Sequence, residues 1–277
     1  MKRFVIIILT LLMCLCGCGE KTADSGDALS REESGMTMEP DSEEYETICN
    51  AVDGFNNTDR RSTVVRLSVG EGDTTLFFTE GTYSYDRAHP VVMSGKTTQL
   101  INGTADTMDV YYKAGAYYRD SKTGKYYASM EKDGFLQQHL CVNLPICDVV
   151  GATKVIVSET AVGTKYDFDY VDVDFCDLVF DESFQLYSGL HSYVEEKTVY
   201  ENGCFSYVIG DDGSLKSFSL SCQAVLYDTP GYYPTGYTPT EDELKKVLDI
   251  RYEVSVKDLG DAVEIKSPNT DDYYFLG

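Results

Sequence analysis

Downstream of residue 60 the apolar residues fall at every second position, in short runs fenced by Gly, Asp and Asn. Val65, Leu67 and Val69 alternate with Arg66 and Ser68, and runs at 74–79, 91–101 and 107–113 follow. A backbone with this period buries one face and solvates the other, so the pattern specifies half-buried strands rather than helices. Two hairpins can be registered from their turns. In 111–118 an Ala114-Gly115 turn sets Tyr112 opposite Tyr117 and Tyr111 opposite Tyr118. Aromatic cross-strand pairs of this kind contribute ~0.2–1 kcal/mol each.

The second hairpin spans 204–226 around Asp212-Gly213, a pair favoured in type I′ turns. That turn pairs Tyr207 with Phe218 and Phe205 with Leu220 on one face, and Ser206 with Ser219 on the other. Turn and face agree, as register requires. Cys204 then falls opposite Ser221 on the polar face while Cys222 joins the apolar face, so no Cys204–Cys222 bridge is expected.

Helices are few. Tyr45, Ile48, Cys49 and Val52 have helical spacing and predict a helix over 43–54. A short helix is expected at 135–141, and strands at 154–158 and 165–170. Residues 171–192 fit neither period cleanly. Thr238-Pro239-Thr240-Glu241 is a capping box with Pro at the first helical position, predicting a helix to Leu248. A final hairpin is expected from 252–256 and 262–266 around Asp258-Leu259-Gly260. The sum is an α+β chain of about ten short antiparallel strands with two to four short helices. Nothing repeats at solenoid or propeller periods.

Composition narrows the function classes. The 277 residues hold 46 acidic and 23 basic side chains, a formal charge of -23, which argues against nucleic acid as a partner. With 43% hydrophobic residues the chain can bury a core. The start has a different character. Lys2 and Arg3 precede an apolar run at 4–15, too short to span a ~30 Å hydrocarbon layer. The run ends in Leu15-Cys16-Gly17-Cys18, which resembles a bacterial lipobox with a small residue ahead of the modified cysteine. That resemblance implies a signal peptide at 1–17 and a diacylglycerol on Cys18, the lipidation site. Residues 18–42 are rich in Gly, Ser, Asp and Glu and read as a lipidated, flexible acidic tether, leaving 43–277 as the domain. The expected location is extracytoplasmic, lipid-anchored to the cell membrane. Six cysteines then remain, Cys49, Cys141, Cys147, Cys176, Cys204 and Cys222, and their redox state is open, including a small-loop bridge between Cys141 and Cys147.

The tether after Cys18, the first helix, the 111–118 hairpin with Gly124-Lys125-Tyr126-Tyr127, the 207–216 stretch and the closing Tyr252…Ser267-Pro268 together resemble the LolA/LppX-like lipoproteins. The resemblance implies a strongly curved antiparallel sheet, an incomplete β-barrel, with helices plugging its concave side. It further implies binding of an apolar ligand or acyl chain in that hollow, and no catalytic residues. The Tyr-rich 231–237 insert and the long 141–192 region depart from the family pattern.

Sharper signals do not add up to an active site. Ser129-Met130-Glu131-Lys132 and Lys122-Thr123-Gly124 imitate penicillin-binding motifs in reversed order and at too small a spacing. Asp167, Asp169, Asp172, Asp174 and Asp177 lack the Gly and spacing of a calcium loop and read as a solvated strand face. His89, His139 and His191 have no metal spacing. Neither a metal nor a cofactor is expected. Tyr232, Tyr233 and Tyr237 form either a contact loop for proteins or sugars or a packing lid. Two readings follow: a membrane-anchored, non-enzymatic lipoprotein binding an apolar ligand, or a surface interaction or sensory module with a side-chain-filled core. The protein partner is unspecified.

Overall fold

The two-residue period becomes one thirteen-stranded sheet among the described residues. The computed structural model describes residues 35–36, 38–88, 92–101, 103–172, 199–227, 240, 245–266 and 268–276. In chain order the strands are β1 (Gly35–Met36), β2 (Arg60–Glu71), β3 (Thr74–Asp86), β4 (Val92–Ile101), β5 (Thr104–Lys113), β6 (Ala116–Ser121) and β7 (Gly124–Ser129). They continue as β8 (Lys154–Thr160), β9 (Gly163–Asp172), β10 (Val199–Ile209), β11 (Leu215–Tyr227), β12 (Lys245–Leu259) and β13 (Tyr274–Phe275). Helices α1 (Glu43–Asn57) and α2 (Lys132–Gln138) and a 3-10 turn at Gly260–Ala262 complete the described elements.

Across the sheet the order is β1-β8-β9-β10-β11-β12-β2-β3-β4-β5-β6-β7-β13. Every pairing is antiparallel except that of β13 with β7. The first and last strands do not meet, so the sheet is curved and left open. An antiparallel sheet left open, with few helices, is what the sequence predicts. It has more strands than expected, because two-residue strands such as β1 and β13 are too short to display a period.

One face carries the core. Val65, Leu67 and Val69 of β2, Phe205, Tyr207 and Ile209 of β10, and Leu248, Ile250, Tyr252 and Val254 of β12 are all buried. Helix α1 lays Ile48, Ala51, Val52 and Phe55 on this face. Its first turn is fixed by the Ser42 hydroxyl, which accepts from the Tyr45 N–H at 3.2 Å, and by Glu43, Glu44 and Glu46 beside the positive end of the helix dipole. The helix runs three residues past its expected end at 54. The chain also joins the fold ahead of the expected boundary at 43, since β1 pairs with β8 and Met38 is buried.

Both hairpin registers hold: Tyr112 faces Tyr117 and Tyr111 faces Tyr118, while Tyr207 faces Phe218, Phe205 faces Leu220 and Cys204 faces Ser221. The β10–β11 turn differs in detail. Gly213 lies at φ 74° and donates to the Gly210 carbonyl at 2.9 Å, and the Gly210 N–H reaches Ser214 O at 2.9 Å. This is a three-residue turn with a bulge glycine. The pairing shifts between Val208 and Ile209, and this shift restores the register of a two-residue turn.

Two expectations are corrected. Residues 245–248 are strand, not helix, because Leu248 pairs with Ala224 and β12 is flanked by β11 and β2. Two neighbouring ladders outweigh one capping box, part of which (Thr238, Pro239, Glu241) lies outside the described residues. The closing hairpin is also absent: after Leu259 the chain makes a 3-10 turn, and 263–266 are irregular. Both edges of β12 are already paired, so a returning strand has no donors or acceptors to meet.

Candidate functional site

The interior of the open sheet is entered by a segment without secondary structure. At the end of α2 the Cys141 N–H bonds Leu136 O at 2.8 Å, and Leu140 adopts a left-handed φ of 57°. This closing geometry normally selects glycine; here a leucine takes it and turns the chain inward. His139, Leu140, Cys141, Leu144, Cys147 and Val149 are then all buried. An irregular backbone at this depth needs partners for its polar groups. Tyrosine hydroxyls supply them: Tyr252 donates to Leu140 O (3.1 Å), Tyr207 to Pro145 O (2.9 Å), Tyr45 to Cys147 O (3.0 Å) and Tyr170 to Asp148 O (2.5 Å). The Cys147 N–H donates back to the Tyr207 oxygen at 3.1 Å. Asn56 of α1 clasps Leu144 by both its N–H (2.8 Å) and its carbonyl (2.9 Å).

Beside this segment lies Arg61, whose side chain shows no solvent exposure (0%). Its Nε donates to Thr58 O at 2.7 Å and its Nη2 to Asn56 O at 2.6 Å, the carbonyls at the negative end of α1. The guanidinium stacks over the Phe55 ring at 4.4 Å. Nη2 also reaches Asn143 Oδ1 at 3.4 Å, and Arg87 Nη1 donates to the same oxygen. Neither arginine has an ion pair among the described residues, and Arg61 Nη1 has no hydrogen bond there. Burial pushes Arg61 below the usual arginine range, Tyr85 opposes the shift and Arg87 adds to it.

A second buried polar group sits toward β3–β6. His139 packs against Phe135, Tyr83 and Tyr117 at ring separations of 4.7, 5.3 and 5.8 Å. Its Nδ1 lies 3.4 Å from the Tyr83 hydroxyl, and burial lowers its pKa to about 3, so the ring is neutral. Burial pushes the Cys141 thiol far up and the Cys147 thiol to about 11. Thiols held protonated and an imidazole that cannot take a proton near neutrality are poorly suited to nucleophilic or general acid–base work. Among the described residues no group of three or more His, Cys, Asp or Glu could hold a metal.

Of the residues singled out from sequence, Cys18, Tyr232, Tyr233, Tyr237, Cys176, His89, His191, Asp174 and Asp177 lie outside the described residues. Cys49, Cys141 and Cys147 are free thiols, so the Cys141–Cys147 bridge does not form. Asp167 and Asp169 alternate with buried Tyr166 and Phe168 on β9, as a solvated face does, and Lys165 pairs with Asp167 at 2.8 Å. Lys122 and Thr123 form the β6–β7 turn. Sequence reasoning missed Arg61 and Asn143. The available signal was Arg61 at the inward phase of β2, two and four residues before Thr63 and Val65.

The fold and site define a class: an open, curved antiparallel sheet whose apolar face is closed by a helix and an irregular segment. No protein-family model matches the chain, and no curated protein matches its sequence. Among solved structures the chain is similar to LprF from Mycobacterium bovis, with 8% identity and a TM-score of 0.41 over 81% of this chain and 96% of that one. A fainter likeness, with 7% identity and a TM-score of 0.11, is to the dehydratase domain from the CurF module of curacin polyketide synthase, over 76% of this chain and 81% of that one.

Proposed function

We propose that this protein is a non-enzymatic, membrane-anchored extracytoplasmic lipoprotein whose domain takes an apolar ligand or acyl chain against the inner face of its open sheet. The observation that carries the reading is how that face is closed. Among the described residues no second sheet covers it; α1 and the 139–149 segment do, the segment joined to the sheet by individual hydrogen bonds from Tyr170, Tyr207 and Tyr252 and to α1 by one from Tyr45. Elements held this way can separate from an apolar face without breaking a strand ladder. The inert protonation states of His139, Cys141 and Cys147 favour binding over catalysis. Native mass spectrometry of the detergent-free protein is expected to show retained lipid or uptake of a fluorescent fatty acid. A clean apo mass with no uptake favours the second reading, a surface interaction or sensory module; the Ile48, Val52, Phe55 and Leu144 side chains that fill the described interior speak for it.

Anchoring rests on the sequence: Lys2 and Arg3, the short apolar run and the box ending in Cys18. No helix among the described residues is long and apolar enough to cross a membrane. Two acyl chains on Cys18 give stable attachment where one does not. Cys18→Ala is expected to abolish palmitate labelling and release the protein from membranes; labelling that persists would remove this site. Tyr232, Tyr233 and Tyr237 are proposed, from sequence, as contact residues for a protein or sugar partner.

A further inference from the structure

We propose that Arg61 and Arg87, which share the amide oxygen of Asn143, form an oxyanion site for a carboxylate or phosphate group, which on the acyl-ligand reading above is the charged head of the ligand. The argument starts from charge. In a chain with 46 acidic side chains, these two guanidiniums have no ion pair among the described residues. They converge on one neutral oxygen, Asn143 Oδ1. Like charges brought together around a single uncharged acceptor disfavour each other, and Arg87 does act to lower the Arg61 pKa. A buried cation normally has a partner of opposite charge. The end of α1 supplies part of one for Arg61, through two carbonyls, and nothing for Arg87.

Geometry adds direction. Asn143 is exposed, Arg87 is half-buried and Arg61 is fully buried, so the three step from solvent toward the interior. Arg61 Nη1 makes no hydrogen bond among the described residues, so a donor remains at the buried end. Guanidinium groups match the paired oxygens of carboxylate and phosphate. Beyond Arg61 lie Phe55, Tyr85 and Cys141, all buried, so a head bound here has an apolar interior beside it. If Arg61 were only a cap for α1, Arg87 and Asn143 would have no part in anion binding. That difference is measurable.

The test uses the full chain and three probes: inorganic phosphate, submicellar oleate and oleyl alcohol. Phosphate is expected to raise the thermal midpoint of the wild type above that in chloride at equal ionic strength, and Arg87→Met to lose the increment. Oleate affinity is expected to fall about tenfold in Arg87→Met, the size of losing one charge-assisted hydrogen bond, with oleyl alcohol unaffected. Asn143→Ala, on an exposed residue, serves as a second variant: it frees both guanidiniums from the amide oxygen they share and should strengthen phosphate and oleate binding. Phosphate stabilisation without binding of either acyl probe would keep the oxyanion site, for a free phosphate, and remove the acyl-ligand reading. Equal binding of oleate and oleyl alcohol by wild type and both variants, with no phosphate increment, would overturn the oxyanion site and leave the acyl-ligand reading standing.

Discussion

Single residues in this protein are constrained by backbone conformation and burial in ways that give measurable consequences. Ala114 and Gly115 turn β5 into β6 with φ of 53° and 80°, the two positive values of a type I′ turn. Alanine pays in that region where asparagine is tolerated, so Ala114→Asn is expected to stabilise the protein by about 1 kcal/mol in urea unfolding. Gly95 is fixed by a neighbour: a Cβ there would lie 2.3 Å from the Tyr83 ring, which lies across it. Gly95→Ala should therefore destabilise by about 1–3 kcal/mol, the usual range for overpacking, and wild-type stability would refute the contact. His139 gives a pH signature. Its folded pKa of about 3 lies below the ~6.5 of free imidazole, so the unfolded chain binds a proton that the folded one refuses. The His139 contribution is thus intact above pH ~6.5 and is lost as pH falls toward 3. Between pH 6.5 and 4.5 the wild type should lose about 2 kcal/mol more than His139→Phe, compared as slopes within each protein; parallel slopes would place the ring in water. Sequence placed His139 among lone histidines but offered no sign of its burial, which depends on Phe135, Tyr83 and Tyr117 arriving from different elements.

At the scale of elements, local signals were reliable where the partner is adjacent in sequence. The β5–β6 and β10–β11 registers were legible because a tight turn dictates pairing and the faces then confirm it. They failed where a distant partner decides. The capping box at 238–241 predicted helix to Leu248, and the ladders to β11 and β2 made strand instead. The 139–149 segment was not legible at all, since its order comes from tyrosines 45, 170, 207 and 252, spread over four elements. Asn56 ties this segment to α1 through two bonds to Leu144, beside the single bond from Tyr45 to Cys147 O. Asn56→Ala leaves a buried N–H and carbonyl without partners and is expected to cost about 2 kcal/mol or more. Amide exchange of 139–149 should quicken in that variant; unchanged exchange would mean the tyrosine bonds hold the segment without Asn56.

The molecule as a whole manages an open sheet, and open sheets have edges that invite other chains. Both edges are covered by two-residue strands from opposite ends of the described chain: β1 lies on β8 and β13 on β7. The second cover is held by aromatic contacts, with Tyr273 edge-on to Tyr118 at 5.4 Å and Phe275 against Tyr127 at 5.2 Å, and by the Leu276 N–H bonded to Tyr127 O at 2.8 Å. Leu276→Pro removes from this cover the N–H that donates to Tyr127 O. It is expected to bare β7 and produce concentration-dependent self-association in sedimentation velocity, while a strictly monomeric variant would show that β13 guards nothing.

What the sequence determined by itself is the alphabet of this protein: half-buried strands, two hairpin registers, one amphipathic helix and an acidic charge unsuited to nucleic acid. Each depends on periodicity or on residues a few positions apart, and short-range geometry is fixed by the backbone itself. Only the tertiary structure decided that β12 lies between β11 and β2, that 139–149 enters the interior, and that Arg61 and Arg87 meet at Asn143. Those outcomes join residues tens of positions apart. A burial energy or a convergence of charges between them exists only once the sheet has curved around its contents.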